Sequence, residues 1–346
     1  MTEQAIDFDR LRYMRCGTCS HEWEVDAEWL ERFHTGDEPC PTCGINCTSE
    51  NYPDFWVRPQ DPAHDDGTVR ARYWYHSSTY AVWPDKDFDP AAQLTDETKR
   101  RMEHDGLTPG AVKRWAARQK AKALHVGTYE AAIENMLRRM DDQSDAGSQF
   151  YLHRVQLEAD CVIEPGIHRE PTDFVGDAQL AGKCGLGVNV LRYVNVHEDQ
   201  SSVSLAIEIG AVWRVQSIPI PLPVDADDPG LRDATARLLA AADRPIKQAP
   251  PENDDDASPL ERLRRRHHTP QTPLASEAGC LREETGELLP SLRRSRFNVE
   301  FDEAGFHGDP NAYAAKLIGL VRLVSDPQAV LDALTAQPWR IVSDPP

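Results

Sequence analysis

Two pairs of cysteines are the clearest chemical feature of the sequence. Cys16-Gly17-Thr18-Cys19 and Cys40-Pro41-Thr42-Cys43 each set two thiols three residues apart, on a tight turn that aims both sulfurs at one point. Gly17, Pro41 and Gly44 provide the backbone that such turns require. Four thiolates close a tetrahedron around Zn2+ with no open position for a substrate water, so the spacing predicts a structural zinc rather than a catalytic one. In a reducing compartment the same pairing argues for a metal over disulfides. His21, just beyond the first pair, is an alternative ligand, although a histidine in a surface loop is the plainer reading; Cys47 is a spare thiol.

Three further stretches gather imidazoles, hydroxyls and carboxylates. Tyr73-Trp74-Tyr75-His76-Ser77-Ser78-Thr79 ends an aromatic, strand-like run in a histidine and three hydroxyls, which can pin a polar ligand at the edge of a core. A buried aromatic strand with a satisfied histidine explains it equally. Leu124-His125-Val126-Gly127-Thr128-Tyr129 reads as a short strand running into a helix. There Gly127 would let backbone N–H groups approach a ligand, and the helix N-terminus favours negative charge. Tyr193-Val-Asn195-Val-His197-Glu198-Asp199-Gln-Ser201-Ser202 bunches amides and carboxylates between two strands, either as a catalytic rim or as an ordinary turn.

The elements that must position these groups follow from periodicity and punctuation. Strands are expected over 149–162, 188–196, 203–209 and 213–222, and helices over 111–123, 130–140, 231–242, 311–324 and 327–335. Asn51 to Val69, rich in Pro, Asp and Gly, reads as a linker, as does Pro245 to Pro259 with its Asp254-Asp255-Asp256 run. The expected architecture is α+β. It comprises a small N-terminal zinc-bearing domain at 10–50 and a central mixed α/β domain at 70–222 with a split antiparallel sheet. An acidic, Pro-rich and partly disordered linker at 225–295 and a helical C-terminal segment at 296–346 complete it.

The chain has 346 residues, enough for more than one domain of roughly 100 to 200 residues, and carries a formal charge of −19. That balance repels a phosphate backbone and disfavours non-specific binding to nucleic acid or anionic membrane by the whole surface. Two local basic groups remain: Lys113, Arg114, Arg118, Lys120 and Lys122 on the 111–123 helix, and the run from Arg262 to His268. The first is a solvated face or a patch for a phosphate-bearing ligand, the second a solvated arm or an anion contact. Residues 1–9 show no signal pattern, and no apolar run approaches the roughly 18 residues needed to span a bilayer. The expectation is therefore a cytoplasmic protein with no membrane partner.

With their flanking residues, Cys16-Gly-Thr-Cys19-Ser-His21-Glu-Trp23 and Cys40-Pro-Thr-Cys43-Gly44 resemble a zinc ribbon over about residues 10 to 50. That resemblance implies a fold held by Zn2+ and a possible nucleic-acid or protein partner. In their order, Tyr75-His76-Ser77-Ser78-Thr79, His125-Val-Gly127-Thr128 with its helix, and Glu198 resemble the ADP-ribosyltransferase fold. The family's usual histidine is followed at once by glycine and then Ser or Thr. Here His76 is followed by two serines, and His125 has Val126 inserted before Gly127. The resemblance implies NAD+ as substrate and Glu198 as the catalytic carboxylate, with Tyr75, His76, Ser77, Thr79, His125, Gly127, Thr128 and Tyr193 around the nucleotide. His76 and His125 compete for the ribose-binding role, and Tyr193 or Tyr151 for stacking on nicotinamide. The acceptor of any ADP-ribose is left open. The alternative is a non-enzymatic zinc-ribbon protein that binds a nucleic acid or a protein. A metal-dependent hydrolase using His125, His153 or His168 ranks behind both.

Overall fold

The structure is a computed structural model and describes residues 1–36, 38–46, 53–105, 109–142, 145, 147–171, 178–245, 272–289 and 309–342. Cys47 and the basic run 262–268 lie outside the described residues. The chain divides into two compact units, one formed by 1–136, 149–219 and 328–346, the other by 137–148 and 220–327.

In the first unit, strands β1 (Arg12–Cys16), β2 (Glu22–Val25) and β3 (Pro53–Phe55) form an antiparallel sheet in the order β2-β1-β3. Helix α1 (Ala27–Thr35) lies between the two cysteine pairs. The Asp26 carboxylate accepts from the Trp29 amide at 2.9 Å to start it, and Gly36, at φ +91°, ends it in the left-handed conformation that glycine adopts without cost. Trp23, Trp29, Phe33 and Phe55 join helix to sheet through successive ring contacts 5.2–5.9 Å apart. The stretch read as a linker, 51–69, instead holds β3 and most of helix α2 (Asp66–Ala71). Asp61 and Asp65 cap local turns there, and Val69 is fully buried, so its Pro and Asp content marks ordered turns rather than a tether.

Two further sheets follow. Strands β4 (Trp74–Ser78), β6 (Phe150–Leu157), β9 (Val212–Ile220) and β10 (Arg340–Ile341) run in the order β10-β9-β6-β4; β5 (Leu124–Val126), β7 (Val190–Val194) and β8 (Val203–Ile207) run in the order β5-β8-β7. The pairings β4–β6, β9–β10, β5–β8 and β7–β8 are antiparallel. One bridge joins the sheets: Tyr75 and Gly127 exchange both backbone hydrogen bonds at 2.9 Å. β4 and β5 therefore touch at one point and part on either side of it, which makes the pair a split antiparallel sheet, as expected. Gly127 is required at that point. A Cβ there would lie 2.8 Å from Ser204 Oγ and 2.9 Å from Ala131 Cβ.

Helix α3 (Asp96–Asp105) precedes α4 (Ala111–Lys120), which is capped in an unexpected way. The carboxylate of Glu103, on α3, accepts from the amides of Gly110, Ala111 and Val112 at 2.8, 3.2 and 2.9 Å. Helix α5 (Tyr129–Asp142) leaves the bridge directly, with Thr128 Oγ1 accepting from the Ala131 amide at 3.0 Å.

Among the described residues, the second unit holds helices α6 (Pro229–Ala242), α7 (Pro273–Gly286) and α8 (Pro310–Ser325), packed on one another through Leu238, Ala241, Ala278, Leu281, Tyr313 and Leu317. Each begins with proline behind an Asp or Thr cap: Asp228, Thr272 and Asp309. α7 falls inside the stretch assigned to a linker. Its Thr272-Pro273 start signal is sound, but the charged surroundings masked it. Arg237 on α6 ties it down through Glu277 at 2.8 Å and Glu284 at 2.6 Å. Helix α9 (Pro327–Thr335) precedes β10. Among the described residues, no helix is long and apolar enough to cross a membrane.

Candidate functional site

The four cysteine sulfurs of 16, 19, 40 and 43 lie within 4.8 Å of one another. Cys16 Sγ is 3.6 Å from Cys43 Sγ, and Cys19 Sγ is 3.7 Å from Cys40 Sγ. A regular ZnS4 tetrahedron with Zn–S near 2.3 Å has edges of about 3.8 Å, so the sulfurs stand at metal-binding separation. The turns are built for it. Amides of Thr18 and Cys19 point at Cys16 Sγ at 3.4 and 3.5 Å, and Gly44, at φ +71°, turns its amide back to the Cys40 carbonyl at 2.9 Å. Burial raises the Cys16 thiol, but those amides and the neighbouring Cys43 and Cys19 thiols outweigh it and lower it to about 6, while Cys19 and Cys43 shift up in return, as thiols this close share their protons. His21 stacks on Trp23, 5.4 Å away, and is not among the clustered ligands.

The second assembly forms around the split in the sheet, on the side that carries α5. Ser77 Oγ donates to Asn135 Oδ1 at 3.4 Å, and Asn135 Nδ2 donates to Glu198 Oε1 at 3.4 Å. His125 Nδ1 is 3.0 Å from the Tyr193 hydroxyl. Burial lowers the His125 imidazole to about 4, and the nearby Glu198 carboxylate opposes that shift. Its Nε2 is buried and has no hydrogen-bond partner. The Tyr193 phenol is raised well above its ordinary value by burial, with Glu170 and Glu198 adding to the effect. Ser77, Asn135 and Glu198 thus form one hydrogen-bonded chain and His125 and Tyr193 another, with the Glu198 charge acting on both members of the second.

The loop that carries Glu198 is clamped at both ends. Asn195 Oδ1 accepts from the amides of His197 and Glu198 at 3.1 and 2.8 Å, while its Nδ2 donates to Ser204 Oγ at 3.0 Å. The Asn195 amide donates to the Ser202 carbonyl at 2.9 Å. Asp199 faces inward and is fully buried: Arg10 reaches it at 2.8 Å, Arg12 at 3.4 Å, and Thr128 Oγ1 donates to it at 2.8 Å. The adjacent acids therefore divide the work, Asp199 anchoring the loop and Glu198, half-buried, lying at the cluster. Glu130, beside Asp199, is pushed up to about 7 by burial and by that neighbouring charge.

Several residues expected at a ligand are engaged elsewhere. The Tyr75 hydroxyl is committed to Glu3 on a buried ring. Thr128 caps α5 and holds Asp199, and Gly127 serves the close approach to Ser204 and Ala131. Tyr193 is enclosed by Ala123, Ala178, Leu180, Leu191 and Ala206, so it orients His125 and has no open face for a nicotinamide ring. Thr79 lies just past the end of β4.

His76 alternates with Ser77 along β4 and so lies on the other face of the sheet. There it stacks on Trp83 with centroids 4.0 Å apart, pairs across the ladder with His153, and its Nδ1 bonds the His125 carbonyl at 2.8 Å. His153 is buried, lowered to about 3 by desolvation, and bonds Ser217 Oγ at 2.7 Å. Of the two competing histidines, His125 is the one that shares its surroundings with Glu198. His125, His153 and His168 form no metal cluster among the described residues.

Both depressed histidines make stability depend on pH. Their folded pKa values lie below the unfolded value near 6.5, so over that interval the unfolded chain binds more protons and stability rises with pH. Acidification from about pH 6.5 towards 4 is expected to remove on the order of 2 to 3 kcal/mol per histidine. Glu130, raised above its unfolded value, works in the opposite sense between about 4.5 and 7. Chemical denaturation at pH 7 and pH 5 checks this: His153→Gln should show a shallower decline than wild type, and an equal decline contradicts the assignment.

No protein-family model matches the chain, and neither a curated protein nor a solved structure matches it. Sequence reasoning missed Asn135, Asn195 as a loop clamp, and the Arg10 and Arg12 anchors. Asn135 had a signal: it follows Thr128 and Ala131 at helical spacing, on the face of α5 turned to the bridge.

Proposed function

We propose that the chain binds NAD+ at the seam of its split sheet and cleaves the bond between nicotinamide and ribose, with ADP-ribose passing to water or to a second acceptor. One observation carries this reading: Glu198, fixed by Asn135 and by the Asn195 turn, stands beside His125, whose buried Nε2 has no partner. His153 Nε2, on the other face of the sheet, is likewise without a partner, so the nearby carboxylate charge is what distinguishes His125.

As the C1′–N bond breaks, its electron pair leaves with nicotinamide, which departs neutral, and positive charge develops on the ribose. A preoriented carboxylate stabilises that charge without reorganising, which is the largest contribution a side chain makes to such a step. When the acceptor's oxygen bonds to C1′, its proton passes to the Glu198 carboxylate and then to solvent. His125 stays neutral near pH 7 because burial holds it at about 4, so it acts as a positioning group toward a ribose hydroxyl. The zinc cluster is structural: its four thiolates leave no open coordination position, and its strand β1 begins two residues after Arg10, which holds Asp199.

Thermal denaturation tests the binding half of this reading. A ligand present at about one hundred times its Kd adds about 2.7 kcal/mol, so saturating NAD+ should raise the wild-type melting temperature by roughly 5 to 10 °C. His125→Ala should lose most of that rise. A wild-type melting temperature that millimolar NAD+ leaves unmoved counts against the site.

A further inference from the structure

A groove of 530 Å³ lies beside α4, lined among others by Trp115, Arg118, Gln119 and Lys122 on one wall and by Gln179 and Lys183 on the other. The first four stand at i, i+3, i+4 and i+7, so the end of one helix and the turn after it present them to one side. We propose that this groove binds a single-stranded segment of nucleic acid.

Charge is the first argument. The whole chain carries −19, yet Arg118, Lys122 and Lys183 meet here from two separate elements. A concave basic site in an acidic molecule focuses the field on an anion and leaves the rest of the surface repulsive. Arg118 makes no ion pair with any described residue, and Lys183 spends one N–H on the Pro171 carbonyl at 2.5 Å, keeping two.

Trp115 supplies the second argument. A half-buried indole in the wall of a basic groove adds nothing for a bare phosphate but gives a base a face on which to stack. Cations on both walls suit a run of phosphates rather than one group, and the Gln119 and Gln179 amides can meet base edges. A duplex keeps its bases stacked on one another and cannot use the indole.

The groove walls are also connected to the candidate site through the core. The Ala123 amide donates to the Ala178 carbonyl at 2.7 Å, tying the two walls together. Ala123, Ala178 and Leu180 belong to the same buried cluster as Tyr193, whose hydroxyl bonds His125. The segments that form the groove walls are thus linked to Tyr193 through one buried cluster. Binding of the strand stands without the NAD+ reading; its service as the acceptor of ADP-ribose rests on that reading.

Fluorescence anisotropy of the full-length protein with a labelled ten-nucleotide single strand decides the matter. Wild type should bind at low salt, and the double variant Arg118→Gln/Lys183→Gln, which removes one cation from each wall, should bind at least ten-fold more weakly. Its log–log salt slope should be shallower by roughly 1.4, two phosphate contacts at about 0.7 each. Trp115→Ala should weaken the strand roughly five-fold or more, and the matching duplex should bind less well than the strand. The melting-temperature rise with NAD+ should be the same in wild type and the double variant. Absence of binding at low salt, equal binding by the double variant, or preference for the duplex would each overturn the proposal. Loss of the NAD+ response in the double variant would instead make the groove part of the NAD+ site and overturn it too. Because binding is read without NAD+, its failure is distinct from failure of the proposed reaction.

Discussion

Replacing Asp199 by alanine is expected to destabilise the protein by about 3 kcal/mol or more, whereas Glu198→Gln, one residue away, is expected to leave stability nearly unchanged. Asp199 is fully buried and meets Arg10 and Arg12, and Arg12 is itself fully buried. Removing the carboxylate takes the Asp199 counter-charge away from the buried Arg12 guanidinium, which costs far more than the pair contributed. Thr128 Oγ1 loses its acceptor at the same time. Glu130 moderates the loss: with Asp199 gone, the repulsion that helps hold it at about 7 disappears and it can ionise beside the arginines. The expected fall in melting temperature is roughly 6 to 12 °C. Thermal denaturation of the two variants side by side checks it, and equal stability would mean that the loop is held by something other than this ion cluster.

Removal of zinc is expected to have the larger effect. The purified protein should contain one zinc per chain, and Cys40→Ser, or prolonged chelation, should abolish it. Cys16 and Cys40 are buried beside a small apolar cluster that includes Met14, Val25, Leu30 and Phe55, and a core of that size adds to metal binding but does not replace it in folding this part. Apparent binding energies of about 10 to 16 kcal/mol in small zinc modules set the scale. The loss should spread, because Arg10 and Arg12 enter the Asp199 cluster from the start of β1. Zinc content and the melting curve should fall together. A protein that keeps its melting curve without metal would separate the ribbon from the loop and remove that coupling.

The extent to which the sequence foretold this architecture varied with the range of the interaction. The cysteine cluster was readable because two matched pairs fix both ligand identity and turn geometry within a few residues. Strands β4 to β9 announced themselves through alternation and β-branched runs such as Val203-Ser-Leu-Ala-Ile207. The split in the sheet depends on Tyr75 meeting Gly127, a contact across 52 positions that no local pattern encodes. The same holds for Glu103 capping α4 and for Arg10 reaching Asp199. At the site, Glu198 could be singled out by its neighbours in sequence, but its distinction from Asp199 could not. Two adjacent acids differ only in which side of the loop each faces, and the Asn195 turn decides that. His76 and His125 were indistinguishable by composition; strand alternation puts them on opposite faces, and only the packing of α5 shows which face holds the carboxylate.

The central claim is that Glu198 drives cleavage of NAD+, and nicotinamide release from carbonyl-labelled NAD+ measures it directly. Full-length wild type, with and without the ten-nucleotide strand as acceptor, is compared with Glu198→Gln at pH 7 and matched folded concentration. The account predicts release by wild type and a loss of roughly a hundred-fold or more in the variant, with its melting temperature unchanged. Release that Glu198→Gln leaves intact, or background release from both proteins, would contradict it.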